Sequence, residues 1–342
     1  MTDAHTDRPV VAVVLAGGIG SRLYPASRSD RPKQFLPLVG EDPLLSRTVA
    51  RADFADEVVV STRPAFAAAV RDCVPDATVL VEPAGKDTGP ALTYATYRVA
   101  ERFEDPLVLA LPSDHHVAGD FESTARRGLR VAADTDSLVT FGGEPTRPET
   151  GYGYLEPGAE RGAGMGFEAA AFHEKPDAET ARAYVDRGYL WNAGIFAWTP
   201  EAFLAAARDS PLAPLVEALE EGDADAGFES VDAASVDYAV LERAADVTVV
   251  PADFEWDDLG SWDALRRVLP ADADGNVRGG DAEVLALDAA DNVVVGDGVH
   301  VSLVGVEGLA VVSYGDRVVV VPTDEAQRVR EVVAKLDDEG RF

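Results

Sequence analysis

The sequence has very little cysteine, and it lacks any long apolar run. A single cysteine, Cys73, stands among 342 residues, so neither a disulfide framework within the chain nor a multi-cysteine zinc site can form. No apolar stretch approaches the ~20 residues that a membrane-spanning helix needs. The opening "MTDAHTDRP" has no apolar core of the kind found in signal peptides. We therefore expect a cytoplasmic protein with no membrane partner.

Basic side chains are also scarce. The chain has 61 acidic and 30 basic residues, and its formal net charge is −31. A surface this acidic repels nucleic acid, so we expect no nucleic-acid partner. It suits concentrated salt, where counterions screen the self-repulsion, and it predicts a halophilic protein. The few lysines are Lys33, Lys86, Lys175 and Lys335.

Apolar strand-like runs alternate with helical patterns through the first two-thirds of the chain. The runs include "VVAVVLA", "EVVVST", "TVLVE" and "LVLALPSD". Continuous apolar strands between helices indicate buried parallel strands of an α/β fold. Ligands bind beyond the carboxyl ends of such strands, so motifs at these ends are candidates for a site.

The pattern of apolar and turn residues changes at about residue 270. Short valine-rich strands with frequent turns follow, and they predict a small all-β unit, either a sandwich or a short β-helix. The last run, "TDEAQRVREVVAKLDDEG", predicts an amphipathic helix that Thr323 caps.

The run "LAGGIGSRLYPASRSDRPKQF", from Leu15, places glycines and cations directly after the first strand. Glycine lets backbone N–H groups approach a ligand closely, and such loops bind phosphate. Arg22 and Lys33 add positive charge suited to phosphate oxygens. The run matches neither the dinucleotide-binding nor the P-loop pattern. On these residues alone, an ordinary glycine turn with surface cations stays the alternative.

The downstream sequence makes the pattern specific. G-G-x-G-x-R-L-x-P followed by P-K resembles the signature of sugar-1-phosphate nucleotidyltransferases, and further runs resemble the mannose-1-phosphate guanylyltransferase branch. These runs occur in the family's order, and the resemblance covers residues 10 to about 267. They are "EPAGKDTGPA", "LPSDHHV", "PTRPETGYGYL", "FHEKP", "YLWNAGIFAW" and "WDDLGSWDAL".

The resemblance implies both a fold and a reaction. The fold is a Rossmann-like nucleotidyltransferase domain with a mixed, mostly parallel sheet over residues 1–270. A small, short β-helix-like domain follows over residues 271–342, and because family members commonly dimerise through such a tail, a homodimer is expected. The reaction transfers GMP from GTP to α-D-mannose 1-phosphate and gives GDP-mannose and pyrophosphate. In-line attack on the α-phosphate needs positioning, charge neutralisation and Mg²⁺.

The family's phosphate and metal residues carry over onto matching positions. The glycines Gly17, Gly18 and Gly20 would donate backbone N–H groups to the triphosphate. Arg22 and Lys33 would neutralise the leaving pyrophosphate.

Two aspartates match the family's metal ligands. Asp114 ends the strand "LVLALPSD", and Asp258 follows the strand "DVTVVP". Two carboxylates, with water and phosphate oxygens, suit Mg²⁺. A helix cap or a solvated acid is the alternative for each. Asp257 stands where the family more often has a small polar residue, and Asp258 is kept as the ligand.

The sugar site is expected in three further runs. Lys175 would bind the sugar phosphate and Glu174 a sugar hydroxyl. Asn192 has an amide suited to bidentate hydroxyl contacts, and Gly153 would let the sugar lie against the backbone. For the neighbouring aromatic residues we expect core packing rather than stacking on the sugar; they are Tyr152, Tyr154 and Trp191.

Base selection is expected in "EPAGKDTGPA". Guanine presents adjacent N1–H and N2–H donors, which one carboxylate accepts together. Glu82 is the first candidate and Asp87 the second. The family usually has Arg-Asn where this chain has Lys86-Asp87, and Lys86 would hold a phosphate or pair with a neighbouring acid.

Other functions stay open. A close alternative is another NDP-sugar pyrophosphorylase with a different base or hexose 1-phosphate. A more remote one is a glycosyltransferase that uses a nucleotide sugar, but its Asp-x-Asp motif is missing from "PSDHHV". A non-catalytic sugar-nucleotide sensor could lose the metal aspartates, whereas this chain has both.

Overall fold

A computed structural model describes residues 8–162 and 164–342. The first seven residues, which begin the run that predicts no signal peptide, lie outside the described residues. No helix in these two ranges is long and apolar enough to cross a membrane. The chain forms two compact units that interleave in sequence, so the boundary predicted after residue 270 stays a prediction. Among the described residues, unit 1 holds 8–17, 48–112 and 117–256, and unit 2 holds 18–47, 113–116 and 257–342.

Unit 1 is built on a nine-stranded sheet of order β3-β2-β1-β4-β9-β6-β10-β8-β7. Its strands are β1 (Val10–Leu15), β2 (Glu57–Thr62), β3 (Thr78–Val81), β4 (Leu107–Pro112), β6 (Leu138–Gly143), β7 (Tyr154–Glu160), β8 (Phe167–His173), β9 (Leu190–Trp198) and β10 (Val247–Pro251). Two short strands, β5 (His116–Gly119) and β11 (Phe254–Asp257), pair separately.

The strand directions confirm the predicted mixed, mostly parallel sheet. Strands β3, β2, β1 and β4 are mutually parallel, and β9 lies antiparallel between β4 and β6. Of the nine strands, β8 and β9 run opposite to the rest. The carboxyl ends of β1, β2 and β3 therefore meet at one edge of the sheet.

Helices cover the sheet because their apolar residues recur on one face. The helices before residue 257 are α1 (Leu44–Arg51), α2 (Ala67–Cys73), α3 (Thr88–Arg102), α4 (Phe121–Thr135), α5 (Ala178–Asp186), α6 (Pro200–Arg208), α7 (Ala213–Glu220) and α8 (Ala224–Glu229). Side-chain caps begin several of them, as where Thr199 accepts from the Ala202 N–H ahead of Pro200. The core around Trp198 and Phe203 is fully buried.

Unit 2 contains the predicted β-helix. Its strands are β12 (Val277–Gly280), β13 (Glu283–Leu287), β14 (Val293–Gly296), β15 (His300–Val304), β16 (Leu309–Tyr314) and β17 (Arg317–Pro322). Strands β12, β14 and β16 pair in parallel, as do β13 and β15. Two buried asparagines align the successive coils, because Asn292 Nδ2 donates to Asn276 Oδ1 at 2.9 Å. Of the two alternatives, the short β-helix is therefore confirmed.

Two short helices complete unit 2. They are α9 (Leu265–Val268) and α10 (Val329–Asp338), and a 3-10 turn over Thr323–Arg328 precedes the latter. The prediction that Thr323 caps this segment is wrong. Its hydroxyl instead donates to the Gly308 carbonyl at 3.1 Å, which ties the turn to the β-helix.

Candidate active site

Lys33 lies at the centre of a charged group in unit 2, which we call the Lys33 cluster: Arg22, Lys33, Asp114 and Asp258. Lys33 Nζ donates to Asp114 Oδ2 at 2.8 Å and to the Asp258 carbonyl oxygen at 2.6 Å. The Lys33 side chain is only 5% exposed. One buried cation thus joins two residues that are distant in sequence and that were both expected to bind metal.

The glycine loop is shaped to pass over the Lys33 stem. Gly20 has φ +71°, and a Cβ on it would lie 2.5 Å from Lys33 Cβ. The Lys33 N–H donates to the Ile19 carbonyl at 2.9 Å. Glycine is needed at position 20 because a side chain would be strained by the backbone and would collide with the lysine.

The loop that carries Asp258 is tightly turned. Leu259 is buried with φ +47°, and the Gly260 N–H donates to Asp258 Oδ1 at 2.9 Å. The neighbouring Asp257 is buried, accepts from the Leu259 N–H, and is held by Arg267 at two atoms. Asp257 therefore stabilises the loop, whereas Asp258 is the member of the pair that reaches the Lys33 cluster.

Cations keep the Asp114 carboxylate ionised. Burial alone would raise its pKa, but the charges of Lys33 and His115 and the Lys33 hydrogen bond outweigh burial and hold the pKa below its ordinary value. An ionised carboxylate is the form that binds a hard cation.

Arg22 connects the cluster to the C-terminal segment. Its Nη2 lies 3.9 Å from Asp258 Oδ2, and its Nη1 donates to Gln327 Oε1 at 3.2 Å. Gln327 in turn donates through Nε2 to Ser261 Oγ at 3.0 Å. The guanidinium is thus oriented from two sides, and its side chain stays 40% exposed.

The donor set suits Mg²⁺. Across residues 8–162 and 164–342, no three or more His, Cys, Asp or Glu side chains group as a complete metal site. Asp114 and Asp258 supply two hard oxygen ligands, and Mg²⁺ commonly takes its remaining ligands from water and substrate phosphates. The residues present therefore fit this ion.

A second group lies at the carboxyl ends of β1, β2 and β3 in unit 1, and we call it the Glu82 cluster: Gly17, Ser61, Arg63 and Glu82. Ser61 Oγ donates to Glu82 Oε1 at 2.9 Å. A Cβ on Gly17 would lie 4.0 Å from the same oxygen. Burial raises the pKa of Glu82, against the opposing effects of Ser61 and Arg63.

The structure places Lys86 and Asp87 in local roles. Lys86 Nζ donates to the Val231 carbonyl at 2.7 Å. The exposed Asp87, at φ +70°, accepts from the Thr88 N–H and caps α3. Of the two acids suggested for base selection, Glu82 is the buried one.

A third group, the Asn192 cluster, also lies in unit 1: Gly153, Glu174, Asn192 and Asp237. A Cβ on Gly153 would lie 2.9 Å from Glu174 Oε2 and 3.6 Å from Asn192 Cβ. Three residues predicted for the sugar are therefore brought together. Lys175 adjoins them, pairs with Glu174, and has a left-handed backbone at φ +43° with an exposed side chain.

Asn192 is more constrained than its motif suggested. Its Oδ1 accepts from Thr140 Oγ1 at 3.2 Å and from the Gly194 N–H at 3.1 Å. Its Nδ2 donates to Asp237 Oδ1 at 2.6 Å. One amide N–H remains for a hydroxyl, so the bidentate contact predicted for this amide is already largely used within the protein.

Asp237 was missed from the sequence. It begins a π-helical turn over Asp237–Leu241, a conformation that is frequent at functional sites. Burial and the charge of Glu174 raise its pKa to about 6, despite the hydrogen bond from Asn192. The run "SVDYAVLE" has no strand-end position to draw attention to it, but an acid inside an apolar stretch was a usable signal.

The aromatic residues near this group pack with one another. The Tyr152 and Trp191 rings meet edge to face at 5.2 Å, and Tyr154 is fully buried. The expected core packing is confirmed.

Comparison with known proteins gives the family. The Nucleotidyl transferase family profile matches residues 11–275, and a MannoseP isomerase/GMP-like beta-helix domain profile matches residues 282–336. The chain belongs to the nucleotidyl transferase family. It is therefore an enzyme of nucleotidyl transfer, and the resemblance to the mannose-1-phosphate guanylyltransferase group is confirmed.

Individual relatives extend over nearly the whole chain. The Xanthan biosynthesis protein XanB of Xanthomonas campestris is 39% identical over 97% of this chain and 74% of its own length. A mannose-1-phosphate guanylyltransferase of Escherichia coli is 36% identical over 97% of this chain and 75% of its own. A crystal structure from Thermus thermophilus, described as a mannose-1-phosphate geranyltransferase, has a TM-score of 0.88 at 37% identity, over 96% of this chain and 99% of that one.

Proposed function

We propose that this nucleotidyltransferase transfers GMP from GTP to α-D-mannose 1-phosphate and releases pyrophosphate. The Lys33 cluster is the observation that carries the proposal. Two acids and two cations, beside a glycine loop, are what phosphoryl transfer needs, because its catalysis consists mostly of positioning and charge stabilisation. The relative named mannose-1-phosphate guanylyltransferase supports the choice of substrates.

Each residue of the Lys33 cluster has a distinct task in this proposal. The N–H groups of Gly17, Gly18 and Gly20 donate to the triphosphate. Arg22 donates to oxygens of the departing pyrophosphate. Lys33 uses two of its three Nζ protons on Asp114 and Asp258, so it positions both residues and keeps one proton for a phosphate oxygen.

Asp114 and Asp258 would hold Mg²⁺. When bound, this ion offsets negative charge on the phosphates and orients them for in-line displacement. The attacking phosphate oxygen of the sugar is already ionised, so the protein needs no general base. The chain's contribution is to keep the Asp114 carboxylate ionised, which the charges of Lys33 and His115 beside it achieve.

The remaining clusters select the two substrates. Glu82 accepts the N1–H and N2–H of guanine, whereas Lys86 donates to the Val231 carbonyl and Asp87 caps α3. Gly153, Glu174 and Asn192 contact the sugar, Lys175 its phosphate, and we add Asp237 as a hydroxyl acceptor. The expected homodimer, cytoplasmic location and salt requirement stay predictions.

The deciding experiment is pyrophosphate release with the full chain, Mg²⁺ and concentrated KCl. GTP, ATP, UTP and dTTP are each paired with mannose 1-phosphate and with glucose 1-phosphate. We expect GTP with mannose 1-phosphate to give the highest kcat/KM. Preference for another pair would reject the proposed substrates and favour another NDP-sugar pyrophosphorylase.

Asp258→Asn tests the site itself. We expect a loss of about a thousandfold in turnover, because a charge-stabilising ligand is removed. Asp134→Asn, an exposed acid on α4, is the charge-matched control and should leave turnover unchanged. Full turnover by the Asp258 variant would exclude it from the reaction.

A further inference from the structure

Arg63 is a half-buried arginine for which the reaction outlined above has no use, and its Nε is buried. It follows β2 directly, and among the described residues no acceptor lies within hydrogen-bond distance of its buried Nε. An N–H that is removed from water without an acceptor costs about 1–3 kcal/mol. A ligand acceptor would remove this cost.

The guanidinium is held in place by its surroundings. Its Cζ lies 4.1 Å from the centroid of the Phe66 ring, a cation–π contact. A Cβ on Gly85 would lie 3.6 Å from Arg63 Cδ. The side chain is therefore packed between an aromatic ring and the backbone of the "EPAG" run.

Arg63 also adjoins the carboxylate proposed to recognise the base. The Glu82 N–H donates to the Thr62 carbonyl at 2.8 Å. Ser61, which donates to Glu82 Oε1, is two residues before Arg63, so the two side chains share a face of the strand end. The charge of Arg63 acts on Glu82.

We propose that Arg63 is a specificity-determining residue that donates a hydrogen bond to the carbonyl O6 of the guanine base. The proposal rests on the proposed function, in which GTP is the nucleotide. Guanine displays N2–H, N1–H and O6 side by side, so an acceptor beside a donor complements that edge. Arginine is well suited to guanine O6 in nucleic-acid recognition for the same reason.

The pair also rejects the other bases. Adenine presents an N6 amine where guanine has O6, so it would face Arg63 with a donor and Glu82 with the unprotonated N1. Uracil offers one N–H and no second donor to Glu82. Specificity therefore arises from mismatched buried groups as much as from the favourable pair.

The test uses nucleotides that differ at one atom. Pyrophosphate release by the full chain is measured with GTP, 6-thio-GTP, 7-deaza-GTP and ATP, for the wild type and for Arg63→Met and Arg63→Lys. We expect the wild type to prefer GTP over 6-thio-GTP, because sulfur is a weak acceptor. Arg63→Met should lower kcat/KM by about ten- to a hundredfold with GTP and 7-deaza-GTP, but only slightly with 6-thio-GTP.

Further variants separate this effect from a loss of structure. Arg63→Lys keeps the charge and should retain part of the GTP preference. Arg71→Met, an exposed arginine on α2, should match the wild type. If thermal melting shows that Arg63→Met does not fold, two measurements still test the proposal. They are the wild-type ratio of kcat/KM for GTP to that for 6-thio-GTP, and the kcat/KM values of Arg63→Lys with the four nucleotides.

Three results would overturn the inference while leaving GTP as the substrate. The first is an equal loss of kcat/KM with GTP and 6-thio-GTP in Arg63→Met, and the second is an equal kcat/KM of the wild type with these two nucleotides. The third is a loss in Arg63→Met that is seen with GTP but not with 7-deaza-GTP, which would show that Arg63 donates to N7 instead of O6. Wild-type preference for ATP, UTP or dTTP would instead reject the proposed function.

Discussion

The Lys33 cluster and the Asn192 cluster shift the pKa of a carboxyl group in opposite directions. In the first, Lys33 Nζ contacts Asp114, and the pKa of Asp114 falls below its ordinary value. In the second, Asp237 is half-buried beside the Asn192 amide with Glu174 nearby, and its pKa rises to about 6. The difference teaches that a direct contact with a lysine ammonium offsets burial at Asp114, whereas burial prevails at Asp237, whose charged neighbour Glu174 is another acid.

This contrast fits two kinds of chemistry. A carboxylate that must hold a divalent ion has to stay ionised, whereas one that contacts neutral hydroxyls can function with or without a bound proton. Glu82 belongs with Asp237, because burial raises its pKa as well. The pKa of Asp114 is thus lowered, whereas the pKa values of Glu82 and Asp237 are raised.

The largest expected effect comes from removing the cation of the first cluster. Lys33→Met should lower kcat about a thousandfold, because Asp114 and Asp258 lose the group that positions them. It should also destabilise the fold by about 2–4 kcal/mol, since it removes the closest cation from a partly buried acid and leaves it the more distant His115. Turnover and urea unfolding measure the two effects.

Two further variants sharpen that result. Lys335→Met removes an exposed lysine of α10 and should change neither quantity. The double variant Lys33→Met with Asp114→Asn should recover part of the lost stability but no activity. A double variant as unstable as Lys33→Met alone would show that Lys33 contributes through packing rather than charge.

A smaller effect is expected at Glu82, the buried acid that follows β3. Glu82→Gln should reduce the preference for GTP over ATP about ten- to a hundredfold, because an amide cannot accept both guanine donors. In the wild type this preference should increase with pH as Glu82 ionises. Glu104→Gln, at an exposed position, is the control, and a wild-type preference that is flat with pH would oppose the role of Glu82.

Asp237→Asn tests the opposite side of the comparison. The pKa shift from 3.8 to about 6 corresponds to about 3 kcal/mol at 1.36 kcal/mol per pKa unit. Between these pH values the folded protein holds the proton more tightly than the unfolded chain, so wild-type stability falls as pH rises. The variant keeps an acceptor for Asn192 and should lose this dependence, becoming the more stable form above pH 6.

Asp237→Asn should impair sugar binding at the pH values at which it makes the fold more stable. We expect Asp237→Asn to raise KM for mannose 1-phosphate about tenfold at pH 8, with little change in kcat or in KM for GTP. The wild-type KM for the sugar phosphate should rise as pH drops below 6. A variant with an unchanged KM would limit Asp237 to orienting Asn192.

Salt should produce the smallest and most general effect. Raising KCl from 0.1 to 2 M should raise the unfolding midpoint of every variant by several degrees, because exposed acids are screened. The stability difference between the wild type and the Lys33→Met variant should change little, since partly buried pairs are screened less. Greatest stability in dilute buffer would reject the halophilic prediction.

Much of the fold was readable from the sequence. Buried β-branched runs between helical patterns predicted the parallel strands β1 to β4, and short valine strands predicted the β-helix. The direction of β9 could not be read, because the apolar pattern of "LWNAGIFAW" is the same for either direction. Strand pairing over long sequence separations decides it.

The site was predictable in part, for a physical reason. Glycines, lysines and acids at strand ends made residues around Lys33 and Glu82 candidates, and the family resemblance gave them roles, but Ser61 and Arg63 were not among them. The hydrogen bonds already made by each side chain were not predictable. The Asn192 amide, for example, bonds to Thr140 and Asp237, which lie on other elements of the fold. Hydrogen-bond satisfaction is a tertiary property and leaves no local pattern.

The hydrogen bond between Arg22 and Gln327 has a practical consequence for dissecting the enzyme. The two profile matches suggest a cut between residues 275 and 282, yet the amide that orients Arg22 lies far beyond that point. An enzyme shortened to that point would keep every residue proposed to contact the substrates or Mg²⁺. It would lose the Gln327 hydrogen bond that orients Arg22, the arginine proposed to bind phosphate. Shortened or chimeric versions of this enzyme should therefore retain the C-terminal segment that contains Gln327 together with the loop that contains Arg22.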